Sequence, residues 1–339
     1  MANERVSIKK LSEITGYSVA TISRVINKKG KYSPETEKTV LQAIKEYRYV
    51  PNMIAKGLRT NQLPTIGIIV PDITNEYFST ITLAAQMAFF KNNYSAFICN
   101  TNENRELEER HIQMLRSQNI SGIIFVCCEQ FYRGNMDSDI PTVYVDRTPT
   151  IVDKSFDPIL VQSNNYEGGR LAIRELVDSG CRRIVCIMDT RDISSKVNRM
   201  EGVVAELRQS GMEPRIYYAQ SMTYKGVYTV VDDLLDREGL NFDGIFCYTD
   251  IGAMSAIKAL TQRGISVPRA VKVMGFDGIS HAEYNTPSIS TVYQPMERMG
   301  ELAAQLVLKI LHGEKLEQRK YILPVELIKR STTKQENIG

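Results

Sequence analysis

Apolar positions follow two regimes along the chain. Up to residue 50 they come in short groups at helical spacing: Ile8, Leu11 and Ile14, then Ile22, Val25 and Ile26, then Val40, Ile44 and Tyr47. The spacing predicts three short helices. Ser7 and Ser18 stand where N-caps belong, and Gly16 separates the first two helices. Ser33-Pro34 offers a cap followed by proline at the first helical position. Such a trio buries one small core and leaves its second helix protruding. That is the helix-turn-helix plan, in which the second helix enters the major groove of DNA.

Beyond Pro64 the regime changes. Apolar runs over 65–71, 95–100, 121–128, 142–146, 183–189, 243–250 and 270–277 alternate with helix-length stretches over 76–92, 105–118, 165–179, 198–210, 225–237, 251–263 and 296–311. Beta-branched runs without polar alternation, each followed by a helix, read as parallel strands buried on both faces. The expected fold is therefore a small all-α head on an α/β body, doubly wound and long enough for two sheets.

At 339 residues and 43% apolar content, the chain suits two or three folding units. Its net charge of +3 conceals an asymmetry. Residues 1–61 carry 12 Lys and Arg against 5 Asp and Glu, a net +7, and the remainder is at −4. A compact basic head fits a nucleic-acid partner, since phosphate neutralisation releases counterions; the plain alternative is a solvated basic face. The start MANERVSIKK has no apolar run behind its charges, and nowhere do 18 uncharged apolar residues follow one another. A soluble, cytoplasmic protein is expected. The six cysteines, Cys99, Cys127, Cys128, Cys181, Cys186 and Cys247, form no CxxC pair and read as buried thiols.

On the second helix, SVATISRVIN, the inward face takes Ile22, Val25 and Ile26. Val19 and Ala20 can meet thymine methyl groups, and Arg24 can grip guanine O6 and N7 with two hydrogen bonds. The hydroxyls of Thr21, Ser23 and Thr36 suit phosphate oxygens, which position without specifying. In the body, ligands of open α/β sheets bind beyond the carboxyl ends of the strands. Those ends carry Asp72, Asn75, Asn100, Asp146, Asp189, Asp250 and Asp277. With an arginine to join them, they suit a neutral, hydroxyl-rich ligand. Each aspartate also has a second reading, as the N-cap of the next helix.

The stretch SIKKLSEITGYSVATISRVINKKGKYSPETEKTVLQAIKEYRYVPNMIAKGL resembles the DNA-binding head and hinge of the LacI/GalR family of bacterial transcription regulators. The run from Ala20 to Asn27, and Tyr49-Val50-Pro51-Asn52 with Ala55 and Leu58, stand at the family's spacing. The resemblance implies base contacts from Val19, Ala20 and Arg24. It implies backbone contacts from Thr21, Ser23, Asn27, Thr36, Tyr49 and Asn52, with Ser7 counted beside them, and a minor-groove wedge at Leu58. The body resembles the family's effector domain, a relative of type I periplasmic sugar-binding proteins, in IGIIVPDITNEYFS, VYVDR, NNYEGGRLA, NRMEG, YTDIGAMSAI, VMGFDG, STVYQP and LPVELIKRSTT. Two subdomains joined by three crossovers are implied, with effector contacts from Asp72, Tyr77, Phe78, Asp146, Arg199, Thr249, Asp250, Asp277 and Gln294. Arg199 stands in the family's R-x-x-G pattern. Thr249 replaces a frequent asparagine, DTRDISS replaces a glycine-rich turn, and Cys181 replaces a histidine.

The expected organisation is a helix-turn-helix domain at 1–50, a hinge helix at 51–62 and an effector and dimerisation domain at 63–339. That domain divides into an N-subdomain (about 63–162 and 293–321) and a C-subdomain (about 163–292 and 322–334). The hinge, YVPNMIAKGLRT, is a weak helix former with Gly57 at its centre, expected to fold on DNA. His111, His281 and His312 have no partner at metal-ligand spacing, and no G-x-S-x-G, G-x-G-x-x-G or P-loop motif occurs. No enzyme, metal or cofactor is expected. The sequence reads as a homodimeric operator-binding regulator, a repressor rather than an activator, controlled by a sugar-like effector. The alternatives are control by a phosphocarrier protein and a cytoplasmic sugar-binding protein without a DNA role.

Overall fold

The computed structural model describes residues 6–49, 63–126, 131–132, 140–151 and 157–334. The hinge segment 51–62, with Asn52, Gly57 and Leu58, lies outside the described residues, as do Cys127 and Cys128. The chain forms two units, Met1–Leu63 and Pro64–Gly339.

In the first unit, α1 (Ile8–Thr15), α2 (Val19–Ile26) and α3 (Pro34–Glu46) fall where the apolar spacing puts them. The three serines cap as expected. Ser7 Oγ accepts from Lys10 N at 3.2 Å, Ser18 Oγ from Thr21 N at 3.1 Å and Ser33 Oγ from Thr36 N at 3.1 Å. Each such cap is worth about 1 kcal/mol. Gly16 ends α1 at φ 73°, where a side chain would be strained. The core is Leu11, Ile22, Val25, Val40 and Ala43. Ile14 and Tyr47, expected inside, are more than a third exposed, and Tyr17, Tyr32 and Tyr49 pack against the cluster.

The second unit begins with β1 (Leu63–Val70), α4 (Glu76–Lys91), β2 (Ser95–Asn100), α5 (Arg105–Ser117) and β3 (Ile120–Val126). After β4 (Phe131–Tyr132) come β5 (Thr142–Val145), β6 (Thr150–Ile151) and β7 (Ile159–Ser163). The chain then crosses to a second lobe. Its elements are α6 (Asn165–Asp178), β8 (Ile184–Asp189), α7 (Ser194–Gln209), β9 (Arg215–Ala219), α8 (Tyr224–Glu238), β10 (Gly244–Cys247), α9 (Asp250–Gln262), β11 (Lys272–Asp277), α10 (Ser280–Tyr284) and β12 (Ser290–Tyr293). It returns to the first lobe through α11 (Met296–Leu311) and β13 (Lys320–Leu323), and ends with β14 (Glu326–Ile328) in the second. The last crossing follows Leu323, so 322 and 323, expected with the C-subdomain, pair in the first sheet.

Among the described residues, the first sheet runs β13-β7-β5-β3-β1-β2 and the second β14-β12-β11-β10-β8-β9, with β14 antiparallel to β12. Helices cover the sheets and seal an aliphatic core. Phe89, Ile81 and Ala85 of α4 meet Met299, Ala303 and Val307 of α11, as a parallel sheet buried on both faces requires.

Candidate functional site

The head presents the outward face of α2 to solvent. Ala20, Arg24 and Asn27 are exposed; Val19, Thr21, Ser23, Thr36 and Tyr49 are half-buried, and Ser7 is exposed. Asn27 Nδ2 donates to Ser23 O at 2.7 Å and closes the end of α2. The Thr21 and Thr36 hydroxyls lie 2.9 and 2.8 Å from the cap hydroxyls of Ser18 and Ser33. Tyr49 already packs on the head's own core. Asn52 and Leu58 lie outside the described residues.

In the second unit, a cavity of about 520 Å³ opens between the lobes at the carboxyl ends of the strands, where open α/β sheets hold ligands. Asp72, Tyr77, Phe78, Asp146, Arg199, Thr249, Asp277 and Gln294 line it. These are all but one of the nine effector contacts that the family resemblance implies. A hydrogen-bonded chain crosses its floor: Tyr77 Oη lies 2.9 Å from Asp146 Oδ1 and 3.2 Å from Gln294 Oε1, and Gln294 Nε2 donates to Asp277 Oδ1 at 2.8 Å. Tyr77 and Asp146 belong to the first lobe and Asp277 to the second, with Gln294 on the crossing between them. Asp146 and Asp277 hold corresponding strand ends at φ 69° and 115°, conformations that side chains keep only where the surroundings enforce them.

Arg199 is 2% exposed. Its Nε and Nη2 donate to Asn165 Oδ1 at 3.1 and 2.7 Å, and Nη1 donates to Tyr248 O. The guanidinium carbon lies 3.3 Å from the Phe276 ring centroid and 4.3 Å from that of Tyr248, a cation held between aromatic faces. The R-x-x-G pattern has a steric basis here. A Cβ on Gly202 would stand 1.9 Å from Tyr166 O, so only glycine lets α7 approach α6 closely enough to seat Arg199 against Asn165. Burial drives the Asp277 carboxyl well above the ordinary carboxylate range, while Arg199 opposes that shift.

Of the strand-end polar residues, only Asn75 caps the next helix, with Oδ1 accepting Tyr77 N at 3.0 Å. Asp72, Asn75, Asp146 and Asp277 face the cavity. Asn100 Oδ1 instead accepts Ile73 N at 2.8 Å, and Asp189 holds Arg191, with Nη2 to Oδ2 at 2.6 Å. Asp250, expected as an effector contact, does not line the cavity. It is fully buried at the start of α9, and its Oδ2 accepts Gly278 N at 2.7 Å and Ile279 N at 3.0 Å. Its task is to hold the turn after Asp277. Thr249 caps α9, with Oγ1 accepting Gly252 N at 3.1 Å.

Several further residues line the cavity without a signal in the sequence: Glu103, Arg147, Arg191, Tyr248 and the turn 220–223. That turn follows β9, an edge strand that is only half-buried over Arg215–Tyr217. Arg191 lies in the DTRDISS departure, which marked the place but not the role. Across the lip, Glu76 accepts Ser280 N at 2.7 Å and lies 2.6 Å from His281 Nδ1, and Thr148 N donates to Ser194 Oγ at 2.8 Å. Among the described residues, no group of three or more His, Cys, Asp or Glu side chains could hold a metal ion.

Comparisons with known proteins agree with this architecture. The family model for bacterial regulatory proteins of the lacI family matches residues 7–52, and the periplasmic binding protein-like domain matches residues 173–333. The ribose operon repressor of Halalkalibacterium halodurans is 32% identical over 328 residues, 97% of each chain. A periplasmic binding protein/LacI transcriptional regulator from Alkaliphilus metalliredigens, solved with D-xylulofuranose, is 30% identical, with a TM-score of 0.72 over 80% of this chain and all of that one. The Lac repressor dimer bound to operator and an anti-inducer shares the fold at a TM-score of 0.86 and 22% identity, over 97% of this chain and 99% of that one. Fold and site define a two-part class: a helix-turn-helix head and a two-lobed body of periplasmic-binding-protein type, cleft between the lobes. The chain belongs to the LacI family of bacterial transcription regulators.

Proposed function

We propose that the protein is a cytoplasmic transcription repressor that binds a pseudo-palindromic operator as a homodimer and is controlled by a sugar or sugar derivative in the cleft. The observation that carries the ligand reading is the chain Asp146–Tyr77–Gln294–Asp277, which joins both lobes with acceptors and donors suited to hydroxyl groups. A hydroxyl-rich ligand bridging it would bind the closed lobes better than the open ones, and that difference is what couples the cleft to DNA affinity. The names of the ribose operon repressor and the D-xylulofuranose complex support this ligand chemistry.

The head supplies the DNA reading, with Arg24 and Ala20 exposed on α2 and a basic charge excess in residues 1–61. Homodimerisation is supported by a stripe on α4, where Leu83, Met87 and Phe90 are 57%, 46% and 72% exposed at successive turns. No helix among the described residues is long and apolar enough to cross a membrane.

A phosphocarrier partner is the weaker reading. The exposed face of α11 carries Glu297, Arg298, Glu301, Gln305 and Lys309, and Arg298 lies 3.8 Å from Glu301. That mixed face lacks the arginine cluster that captures a phosphorylated side chain. Calorimetry of the full chain with a panel of neutral pentoses and hexoses, followed by operator binding with and without the binder, tests the proposal. Heat with at least one sugar and a tenfold or larger change in operator affinity are expected. Silence across the panel together with binding to a phosphorylated carrier protein would transfer control to the second reading.

A further inference from the structure

One end of the cleft is walled by a row of charges that meets the chain across the floor only at Asp146. From the first lobe, Arg147 follows β5 and is 4% exposed. From the second, Arg191 follows β8, gripped by the buried carboxylate of Asp189 with Nε 3.0 Å and Nη2 2.6 Å from Oδ2. Between them stands Glu103. Its Oε2 lies 2.5 Å from Arg191 Nη1 and its Oε1 3.9 Å from Arg147 Nη2, and all three residues line the cavity. With Asp146 Oδ2 at 3.9 Å from Arg147 Nε, the charges alternate from lobe to lobe in the order Asp146, Arg147, Glu103, Arg191, Asp189.

The loop that delivers Glu103 is unusual. Asn102 and Glu103 both take left-handed backbone, at φ 50° and 55°. Asparagine tolerates this conformation, whereas glutamate holds it only where the surroundings over-determine it. The Glu103 side chain is 38% exposed and the Arg191 side chain 30%, so this wall faces solvent and ligand. Two guanidinium groups from opposite lobes, converging on one carboxylate, have the geometry by which arginines clamp a phosphate or a carboxylate ligand. Here the anion comes from the protein itself.

We propose that Glu103 is the specificity-determining residue of the cleft: its carboxylate fills an anion site formed by Arg147 and Arg191, and so restricts the cleft to neutral ligands. An incoming phosphate would meet a like charge where the arginines converge, and could bind them only by expelling Glu103. A neutral polyol needs no such exchange. The assignment rests on the reading of this cleft as the effector site, and it deepens that reading by excluding phosphorylated and acidic sugars.

The test compares the full-length protein with Glu103→Gln and Glu103→Ala, using inorganic phosphate, then D-ribose against D-ribose 5-phosphate and D-glucose against D-glucose 6-phosphate. Glu103 stands on a partly exposed loop, so both variants should fold. Phosphate should raise the melting temperature of both variants above any rise in the wild type, and should bind at least tenfold tighter to Glu103→Gln. The ratio of sugar-phosphate to parent-sugar affinity should increase at least tenfold in the same variant. Equal phosphate responses in all three proteins would overturn the assignment, as would a wild type that prefers the sugar phosphate to its parent. If no sugar binds any of the proteins while phosphate still separates the variants from the wild type, the sugar reading falls and the anion site stands.

Discussion

Asp250 and Asp277 look alike in the sequence, each an aspartate closing an apolar run, yet one holds a turn and the other faces the cavity. Burial pushes the Asp250 carboxyl up to about 7, above the ordinary value near 4. An acid raised in the folded state contributes stability that is complete below its unfolded pKa and is lost as pH rises through its folded pKa. The wild type should therefore lose stability between about pH 4 and pH 7 through this residue. Asparagine can still accept from Gly278 N and Ile279 N but does not titrate. Thermal melts of Asp250→Asn and wild type from pH 4.5 to 8 should diverge, the variant gaining several degrees at the alkaline end. A constant offset across that range would mean that the carboxyl ionises normally. The separate tasks of these aspartates were not legible because periodicity places a residue at a strand end and says nothing of what faces it. Asp146 and Asp277 were legible as strand ends, and Arg199 through an R-x-x-G pattern whose steric basis is Gly202.

At the scale of elements, what could be read followed the apolar runs of the sequence rather than burial: mostly exposed β2 was legible, whereas buried β7 and β12 were not. The central strands β1, β3, β8, β10 and β11 are apolar runs and are legible as strands. The edge strands β9, β13 and β14 alternate or stay half-exposed, and their sequences do not announce them. Polar Gln162 and Ser163 in β7, and Ser290 and Thr291 in β12, break the apolar pattern there, and α7 starts one turn earlier than its apolar spacing suggests, at Ser194. The head was read almost whole because its caps are local: a serine three residues before an N–H needs no tertiary context. Helix α2 carries its prediction. Arg24→Ala should weaken operator binding by about 1–3 kcal/mol and relax preference at one base step, while the head's melting is hardly changed, since Arg24 is exposed. Selection from a randomised operator library would show it; an unaltered preferred sequence would remove Arg24 from base reading. The affinity itself should fall steeply between low and physiological salt, and a flat profile would contradict the electrostatic role of the basic head.

At the scale of the whole molecule, the two tasks make opposite demands on association. The effector cavity is lined by residues of one chain, from Asp72 to Gln294, so a single copy can bind ligand. A pseudo-palindrome needs two heads related by a two-fold axis, and the surface available to hold them is isologous. On the first lobe that surface includes Leu83, Met87 and Phe90 of α4, with Phe97 and Ile98 of the edge strand β2 nearly half exposed. Stripes of this kind on a monomer mark an interaction face. Replacing Leu83 and Phe90 with glutamate adds like charges where two copies would meet, without touching the cavity. The double variant should sediment as a monomer and lose operator affinity on the order of a hundredfold, because the second half-site no longer raises the effective concentration of the first. Its affinity for a neutral sugar should stay within a factor of a few of the wild type. A persistent dimer would place the interface elsewhere, and monomers that no longer bind sugar would show that the cleft needs the dimer to keep its shape.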